Sequence, residues 1–357
     1  MAAMNFPICR RAAATLVATL VGLGSLTNPA AAADWITDGQ WYVDFLKLHE
    51  VHKITKGGGV TVAVIDTGVG HHSDLSGRVL PGVDFVEKGG DGRIDVLGHG
   101  TGMAGLIAGH GRVLGVAPEA DILPVTVTVE RSADGRAMTD GIDWAVAHGA
   151  KVINISLGGN DFSGLKDAID RAIAADVLVV AGAGNRDQGL TVGYPGAYPE
   201  VLTVGGVDAN GNHSTISVDG YQLDISAPSD RISSTGPRGT YRLGTGTSDA
   251  TALVSGAAAL VRAKYPELSA AEVVHRLTAT ATDKGPPGRD DKYGYGVLDV
   301  VRALTADVPP ETTAPPAQPP GSGDGPSPVV IVLATVGGVA LIAIIVGVAL
   351  ARRRDKG

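Results

Sequence analysis

Three residues of different chemical types stand where apolar runs end or begin, and together they could form a nucleophilic catalyst. Asp66 lies in VAVIDTGV, His99 in GHGTGMAG and Ser248 in GTSDATALVSG. A serine hydroxyl is a weak nucleophile until a base accepts its proton, and histidine can do this near neutral pH. The histidine needs a carboxylate that fixes its tautomer and stabilises the imidazolium. The chain order Asp, His, Ser therefore predicts a catalytic triad of Asp66, His99 and Ser248.

Each of these residues also has an ordinary structural interpretation. An aspartate at a strand end is commonly a turn or helix cap, a histidine in a glycine-rich turn is usually structural, and Ser248 could be the N-cap of a helix. A nucleophile at a helix N-terminus is also favourable, because the positive end of the helix dipole stabilises developing negative charge. Each signal is weak alone, and their ordered combination favours catalysis.

The elements that must position these residues are predicted by alternating apolar runs and helical patterns. The predicted strands are Val60–Ile65, Ile122–Val127, Lys151–Ile155, Val177–Ala181 and Val201–Val204. The predicted helices are Thr101–Gly109, Thr139–His148, Gly164–Ala174, Ser248–Tyr265 and Ser269–Ala281. Continuous Val/Ile strands separated by helices indicate a buried parallel sheet, so we expect an α/β fold with the sheet flanked by helices. Active sites of such folds lie at the carboxyl ends of the strands, where Asp66 stands.

The three motifs resemble those of the subtilisin family of serine proteases, the subtilases, and the resemblance extends over about Gly57–Leu304. It implies a subtilisin-like fold with a single catalytic domain and endopeptidase activity on polypeptides. Between the motifs, KVINISLGG resembles the substrate-binding strand, which implies that Ser156, Leu157 and Gly158 bind the substrate backbone. VVAGAGNRD resembles the segment that carries the oxyanion asparagine.

That last segment carries two further expectations. The resemblance implies that Asn185 donates to the oxyanion and that Arg186 lies at the rim of the S1 pocket. If Arg186 faces this pocket, a Lys or Arg at the P1 position of a substrate meets a like charge and is cleaved less well. The alternative is that Arg186 is a solvated surface charge.

The sequence also departs from the family pattern. Asp249 stands directly after Ser248, where the family usually has methionine. Asp249 could stabilise the N-terminus of its helix, or it could disfavour acidic residues just after the scissile bond. The segment from Gly105 to Pro118 is too short for the loop that supplies the family's strong calcium site, and Asp74 is one carboxylate only. We therefore expect no metal site and no cofactor.

The two ends of the chain predict export and membrane anchoring. Residues 1–33 are typical of a signal peptide, with an uncleaved N-terminal anchor as the alternative. A peptidase domain at 34–307 precedes a proline-rich linker at 308–328. Residues 329–351 form an uninterrupted apolar run that predicts a C-terminal transmembrane helix, and the Arg-rich tail at 352–357 predicts a cytoplasmic C-terminus. The catalytic domain is then extracellular in a single-pass type I protein of the cell membrane.

Composition and architecture narrow the function further. The chain has 37 acidic and 29 basic residues, which argues against nucleic-acid binding. Its single cysteine, Cys9, falls in the predicted signal peptide, so no disulfide is expected. The signal peptide, linker and single span resemble the mycosins, subtilases associated with type VII secretion, and this implies a membrane secretion complex as partner. The alternatives are a structural subunit of such a complex with weak or self-directed proteolysis, and a binding module that uses a subtilase-like cleft.

Overall fold

The computed structural model describes residues 34–130 and 135–309 of the chain. The predicted signal peptide, the linker beyond Pro309, the apolar run and the basic tail lie outside the described residues. Within the described residues, no helix combines the length and the apolar character needed to cross a bilayer.

A seven-stranded parallel sheet forms the centre of the described region, with strand order β2-β3-β1-β4-β5-β6-β7. The strands are β1 Thr61–Asp66, β2 Val83–Asp84, β3 Asp121–Thr126, β4 Val152–Ile155, β5 Leu178–Gly182, β6 Leu202–Val207 and β7 Ile225–Pro228. An antiparallel hairpin follows, formed by β8 Ile232–Thr235 and β9 Tyr241–Gly244. All five predicted strands are present, and β2, β7 and the hairpin are the strands that the sequence analysis did not predict.

Helices cover both faces of the sheet. They are α1 Trp35–Asp38, α2 Tyr42–Phe45, α3 Leu48–Val51, α4 His99–Ala108, α5 Gly135–Ala147, α6 Leu165–Ala174, α7 Thr247–Lys264, α8 Ala270–Ala279 and α9 Val300–Thr305, with 3₁₀ turns at Ser73–Leu75 and Pro237–Gly239. The five predicted helices correspond to α4, α5, α6, α7 and α8. The three short N-terminal helices are fixed to the body by side-chain bonds, such as that from Trp41 Nε1 to the Asp230 carbonyl oxygen at 2.9 Å.

Alternate residues of each strand enter different cores, because successive side chains of a strand point to opposite faces. Val62 and Val64 of β1 pack with α4 and α7, whereas Ala63 and Ile65 pack with α5 and α6. Helix α7 is buried along most of its length, and its first residue, Thr247, bonds to Gly184 and Asn185 just beyond the carboxyl end of β5. The fold thereby brings the ends of β1, α4 and α7 to one edge of the sheet.

Candidate active site

Asp66 is the last residue of β1, and its carboxylate faces the imidazole of His99. The two carboxylate oxygens lie 2.8 and 2.9 Å from His99 Nδ1. The side chain is fully buried, and its Oδ1 also accepts a bond of 2.8 Å from the Thr67 backbone N–H. This contact holds the proton on Nδ1, which leaves Nε2 as the nitrogen able to accept a proton.

The start of α4, where His99 lies, is held by a buried aspartate that the sequence analysis missed. Asp95 Oδ1 accepts bonds from Thr67 Oγ1 and the Gly98 N–H, at 2.9 and 2.7 Å. Asp95 Oδ2 accepts from the Thr101 N–H and hydroxyl, at 2.9 and 2.6 Å. An aspartate just before a helix can satisfy free N–H groups of the first turn, and this signal could have identified it.

The protonation of His99 is governed by burial and by Asp66. Burial lowers the pKa of His99, but the charge of Asp66 and its hydrogen bond raise it, and the net direction is upward. The side chain remains 24% exposed, so the imidazole is open to the cleft. A base with a raised pKa accepts a proton more readily, provided that the pH is high enough to leave it neutral.

Ser248 is the second residue of α7 and lies at the junction of two cavities. Its hydroxyl donates to the Ser156 carbonyl oxygen at 3.1 Å, and the Ser156 hydroxyl donates to the Ser248 carbonyl oxygen at 3.1 Å. Ser248 and His99 line the same cavity. The hydroxyl must therefore turn away from Ser156 before it can donate to His99, which is common in sites without substrate.

Asn185 follows β5 and is oriented by the first residue of α7. Its Oδ1 accepts bonds from the Thr247 N–H at 3.0 Å and from the Thr247 hydroxyl at 3.3 Å. Because the oxygen is occupied, the amide nitrogen is the end that can donate. Asn185 lines both cavities beside Ser248, so that donor is available to a group bound there.

The two cavities differ in composition. The first, of about 270 Å³, is here called the glycine-rich cavity, and it is lined by Ser156, Leu157, Gly158, Gly159, Asn160, Asp161, Gly182, Gly184, Asn185, Gln188, Gly189, Thr191, Val192, Gly193, Tyr194, Val218, Thr247 and Ser248. The second, of about 340 Å³, is here called the charged cavity, and it is lined by Thr67, Leu97, Gly98, His99, Glu130, Ser156, Leu157, Gly158, Asn185, Gln188, Pro237, Arg242, Thr245, Gly246, Ser248 and Asp249. Ser156, Leu157 and Gly158, which the resemblance implies as substrate-binding residues, line both cavities.

Arg186, expected at the rim of the S1 pocket, has protein partners for its guanidinium. Its guanidinium forms an ion pair of 2.7 Å with Asp219 and donates to the Ser217 carbonyl oxygen at 2.9 Å. Arg186 is not among the described residues that line either cavity. The guanidinium is therefore held by Asp219 and Ser217, as in the alternative of a surface charge, and its expected place at the rim of the S1 pocket stays a prediction.

Asp249 and Asp74 both have their carboxylates occupied by protein groups. Asp249 is buried, and Arg242 Nη1 lies 3.0 Å from its Oδ1. Burial raises the pKa of Asp249, and the charge of Arg242 opposes that rise. Asp74 Oδ2 accepts a bond of 2.8 Å from the Val113 N–H, within the short segment after α4. Among the described residues, no cluster of three or more His, Cys, Asp or Glu side chains could hold a metal ion.

A buried aspartate–histidine pair and a serine at a helix N-terminus, set at the carboxyl ends of a parallel sheet, are the groups that a serine hydrolase of the α/β class uses. The chain belongs to the subtilase family, peptidase S8, whose model matches residues 57–296. It is therefore a subtilisin-like serine protease. Subtilisin DY of Bacillus licheniformis is 42% identical over 258 residues, which cover 70% of this chain and 92% of that protein. Subtilisin E of Bacillus subtilis is 40% identical over 257 residues, covering 69% of this chain and 66% of that protein.

Similar solved structures include mycosins. MycP1 from Mycobacterium smegmatis superimposes with a TM-score of 0.69 at 31% identity, covering 78% of this chain and 88% of that one. The MycP3 protease from the type VII (ESX-3) secretion system gives a TM-score of 0.67 at 36% identity, with coverage of 75% and 88%.

Proposed function

We propose that this protein is a membrane-anchored extracellular endopeptidase that cleaves polypeptides with the triad Asp66, His99 and Ser248. The observation that carries the proposal is the pair of contacts, 2.8 and 2.9 Å, between His99 Nδ1 and the buried Asp66 carboxylate. This pairing leaves Nε2 free to act as a base in the cavity that Ser248 also lines.

The reaction follows from these positions. Ser248 turns toward His99, gives its proton to Nε2 and attacks the carbonyl carbon of the scissile bond. Asp66 stabilises the imidazolium that forms, and the imidazolium then donates its proton to the departing amine. Water, activated by the same histidine, releases the acyl group and regenerates the serine.

The negative oxygen of the tetrahedral intermediate has two donors nearby. One is the amide nitrogen of Asn185, whose oxygen is held by Thr247. The other is the backbone N–H of Ser248, which lies in the first turn of α7, where N–H groups have no partner within the helix. Donors fixed before the reaction stabilise the charge without the cost of reorienting solvent.

We assign the two cavities to the two sides of the scissile bond on the basis of His99. The imidazole must reach the departing amine, and His99 lines the charged cavity but is not among the lining residues of the glycine-rich cavity. The leaving-group side of the substrate therefore occupies the charged cavity. The P1 side chain occupies the glycine-rich cavity, and Ser156, Leu157 and Gly158 bind the substrate backbone between them.

The test of the activity is labelling by a fluorophosphonate, which reacts with activated serine hydroxyls. We expect the purified wild-type protein to be labelled once, at Ser248, and to hydrolyse a denatured protein substrate. Ser248→Ala is the control and should lose both reactions. A folded wild-type protein that is neither labelled nor active would favour the structural-subunit alternative.

The cellular setting is proposed from the sequence and from the mycosin neighbours. The domain order is a signal peptide at 1–33, a peptidase domain at 34–307, a linker at 308–328, a transmembrane helix at 329–351 and a cytoplasmic tail at 352–357. The similar solved structures include mycosins of type VII secretion systems, which supports a secretion complex as partner. Protease added to intact cells should release a fragment ending in the linker, while a tag after Gly357 stays protected. A tag digested from outside would contradict this orientation.

A further inference from the structure

An arginine and an aspartate outside the proposed triad form an ion pair beside Ser248. Arg242 lies on β9, and Asp249 is the residue after Ser248 on α7. Arg242 Nη1 lies 3.0 Å from Asp249 Oδ1, with the side chains 25% and 1% exposed. The proposed chemistry does not require this pair, although isolating such charges from water is costly.

The Arg242 guanidinium is held against α4, the helix that begins at His99. A Cβ added at Gly102 of α4 would lie 2.5 Å from Arg242 Nη1, so a larger residue there would displace the guanidinium. The hairpin also bonds to α4 directly, since the Thr235 hydroxyl donates to the Thr101 carbonyl oxygen at 2.6 Å. Arg242 is therefore fixed in position relative to the helix of His99.

The other end of the contact lies on α7. A Cβ added at Gly244 would collide with Arg242 Nη2 and would lie 2.6 Å from Asp249 Oδ2. Arg242 Nη1 also donates to Ser234 Oγ at 3.3 Å, which ties the guanidinium to β8. The ion pair therefore occupies a space, left open by glycine, between the helix of His99 and the helix of Ser248.

We propose that Arg242 and Asp249 are positioning residues of the peptidase site. The pair holds α4 and α7 in a fixed relation, and it keeps the charge around the imidazole of His99 balanced. This proposal rests on the proposed peptidase function, because it assigns the pair a role through His99 and Ser248. The titratable and charged groups around His99 are Asp66 on β1, Asp95 at the start of α4, Arg242 on β9, Asp249 on α7 and Glu130 across the charged cavity.

The two members of the pair act on His99 in opposite directions. The positive charge of Arg242 lowers the pKa of His99, and the negative charge of Asp249 raises it. Because the two effects oppose each other, removing one charge leaves the other without its counterpart, in surroundings partly shielded from water. Removing only the carboxylate should therefore lower the pKa of His99.

Three variants of the full-length protein test this proposal. Asp249→Asn removes one charge and keeps the shape, and the double variant Arg242→Met/Asp249→Leu removes both charges. The matched control is Asp176→Asn, which breaks the 2.8 Å ion pair between Asp176 and Arg262. Arg262 also lies on α7, roughly 20 Å along the helix from Asp249. The measurement is the rate of fluorophosphonate labelling of Ser248 as a function of pH, with thermal unfolding to verify the fold.

We expect Asp249→Asn to move the acidic midpoint of the labelling profile down by about half a unit to one unit. The double variant should keep the wild-type midpoint but label about tenfold more slowly, because the contact between the helices is lost. Asp176→Asn should keep both the wild-type midpoint and the wild-type rate.

An unchanged midpoint in Asp249→Asn, or an equal shift in Asp176→Asn, overturns the charge-balancing role. If Asp249→Asn does not fold, the double variant decides, and a wild-type rate in that variant overturns the positioning role. Absence of labelling in the wild-type protein at every pH is a different result. It would overturn the proposed peptidase function itself, and this proposal with it.

Discussion

The two cavities that meet at Ser248 are built in different ways. The glycine-rich cavity is shaped largely by backbone, and Asp161 is the only charged residue among its described lining residues. The charged cavity contains His99 and the pair of Arg242 with the buried Asp249. Exposed charge is screened by water and salt, whereas buried charge is screened much less. Catalysis and substrate selection should therefore respond differently to the same changes in charge and salt.

The largest expected effect is the loss of the residues proposed to perform the reaction. Ser248→Ala, His99→Ala and Asp66→Ala should each lower kcat by at least about 10³-fold, because each removes a member of one proton-transfer unit. Combining two of them should cost little more than one. The measurement is kcat on a peptide substrate, with thermal unfolding to verify that each variant folds. Full activity in Ser248→Ala would overturn the proposed chemistry.

A smaller loss is expected from a residue that the two cavities share. Asn185→Leu should lower kcat on the order of 10²-fold or more, a magnitude carried over from the equivalent donor of subtilisin, with little change in KM. Gln188→Leu is the matched control, since Gln188 also lines both cavities but has no proposed role in the reaction. Equal losses in the two variants would mean that the change to an apolar side chain is responsible, rather than the loss of the oxyanion donor.

The sequence motifs were informative where a reactive residue lies at the end of a strand or at the start of a helix. Asp66 ends a continuous apolar strand and Ser248 lies at the start of an apolar helix, so pattern alone placed Asp66 at the carboxyl edge of a sheet and Ser248 at a helix N-terminus. Asp95 was missed because its role depends on bonds to several groups at the start of α4, none of which has a sequence signature of its own.

Arg186 and Arg242 show where pattern and resemblance are insufficient. Arg186 was expected at the pocket because it follows Asn185, but Asp219, which lies 33 positions further along the chain, binds its guanidinium. Arg242 could not be identified from the sequence, because β9 is a short strand with little burial. Its contact with Asp249 depends on the packing of the hairpin against α4. A long side chain can turn toward any of several partners, so its position depends on tertiary packing.

The next effect concerns pH and separates activity from stability. The pKa of His99 lies above the ordinary imidazole value, mainly because Asp66 opposes the effect of burial. Activity should fall as the pH drops through this raised pKa, because a protonated imidazole cannot accept the serine proton. The stabilisation from the charged pair has the opposite sign. It is fully present below the unfolded pKa of histidine and is lost as the pH rises through the folded value.

The measurement compares kcat/KM and the melting temperature over the same pH range. Wild-type kcat/KM should rise with pH, while the melting-temperature advantage of wild type over His99→Ala should decrease by a few degrees. Added salt should leave the midpoint almost unchanged, because Asp66 is fully buried. A strong salt dependence would mean that exposed groups, rather than Asp66, set the pKa of His99.

The smallest expected effect is on selectivity, and it depends on the glycine-rich cavity. Asp161 is held at that cavity by the Tyr198 hydroxyl, which donates to its Oδ1 at 2.5 Å. Lys166 Nζ lies 5.9 Å from the centre of the Tyr198 ring, and it forms ion pairs with Asp170 and Glu200 at 2.6 and 3.2 Å. Because Asp161 lines this cavity and Arg186 is paired with Asp219, we expect the charge presented to a P1 side chain to be negative rather than positive.

We therefore expect substrates with Lys or Arg at P1 to be cleaved faster than substrates with Glu, which reverses the expectation built on Arg186. Asp161 is exposed, so solvent limits the effect to about 1 kcal/mol or less, a several-fold difference in kcat/KM. Asp161→Asn should remove the preference, Arg186→Ala should retain it, and raising the salt concentration should weaken it in the wild type. If wild type instead prefers Glu and Arg186→Ala abolishes that preference, the Arg186 side chain must leave Asp219 when substrate binds. The selectivity of the glycine-rich cavity would then depend on a rearrangement of that ion pair rather than on Asp161.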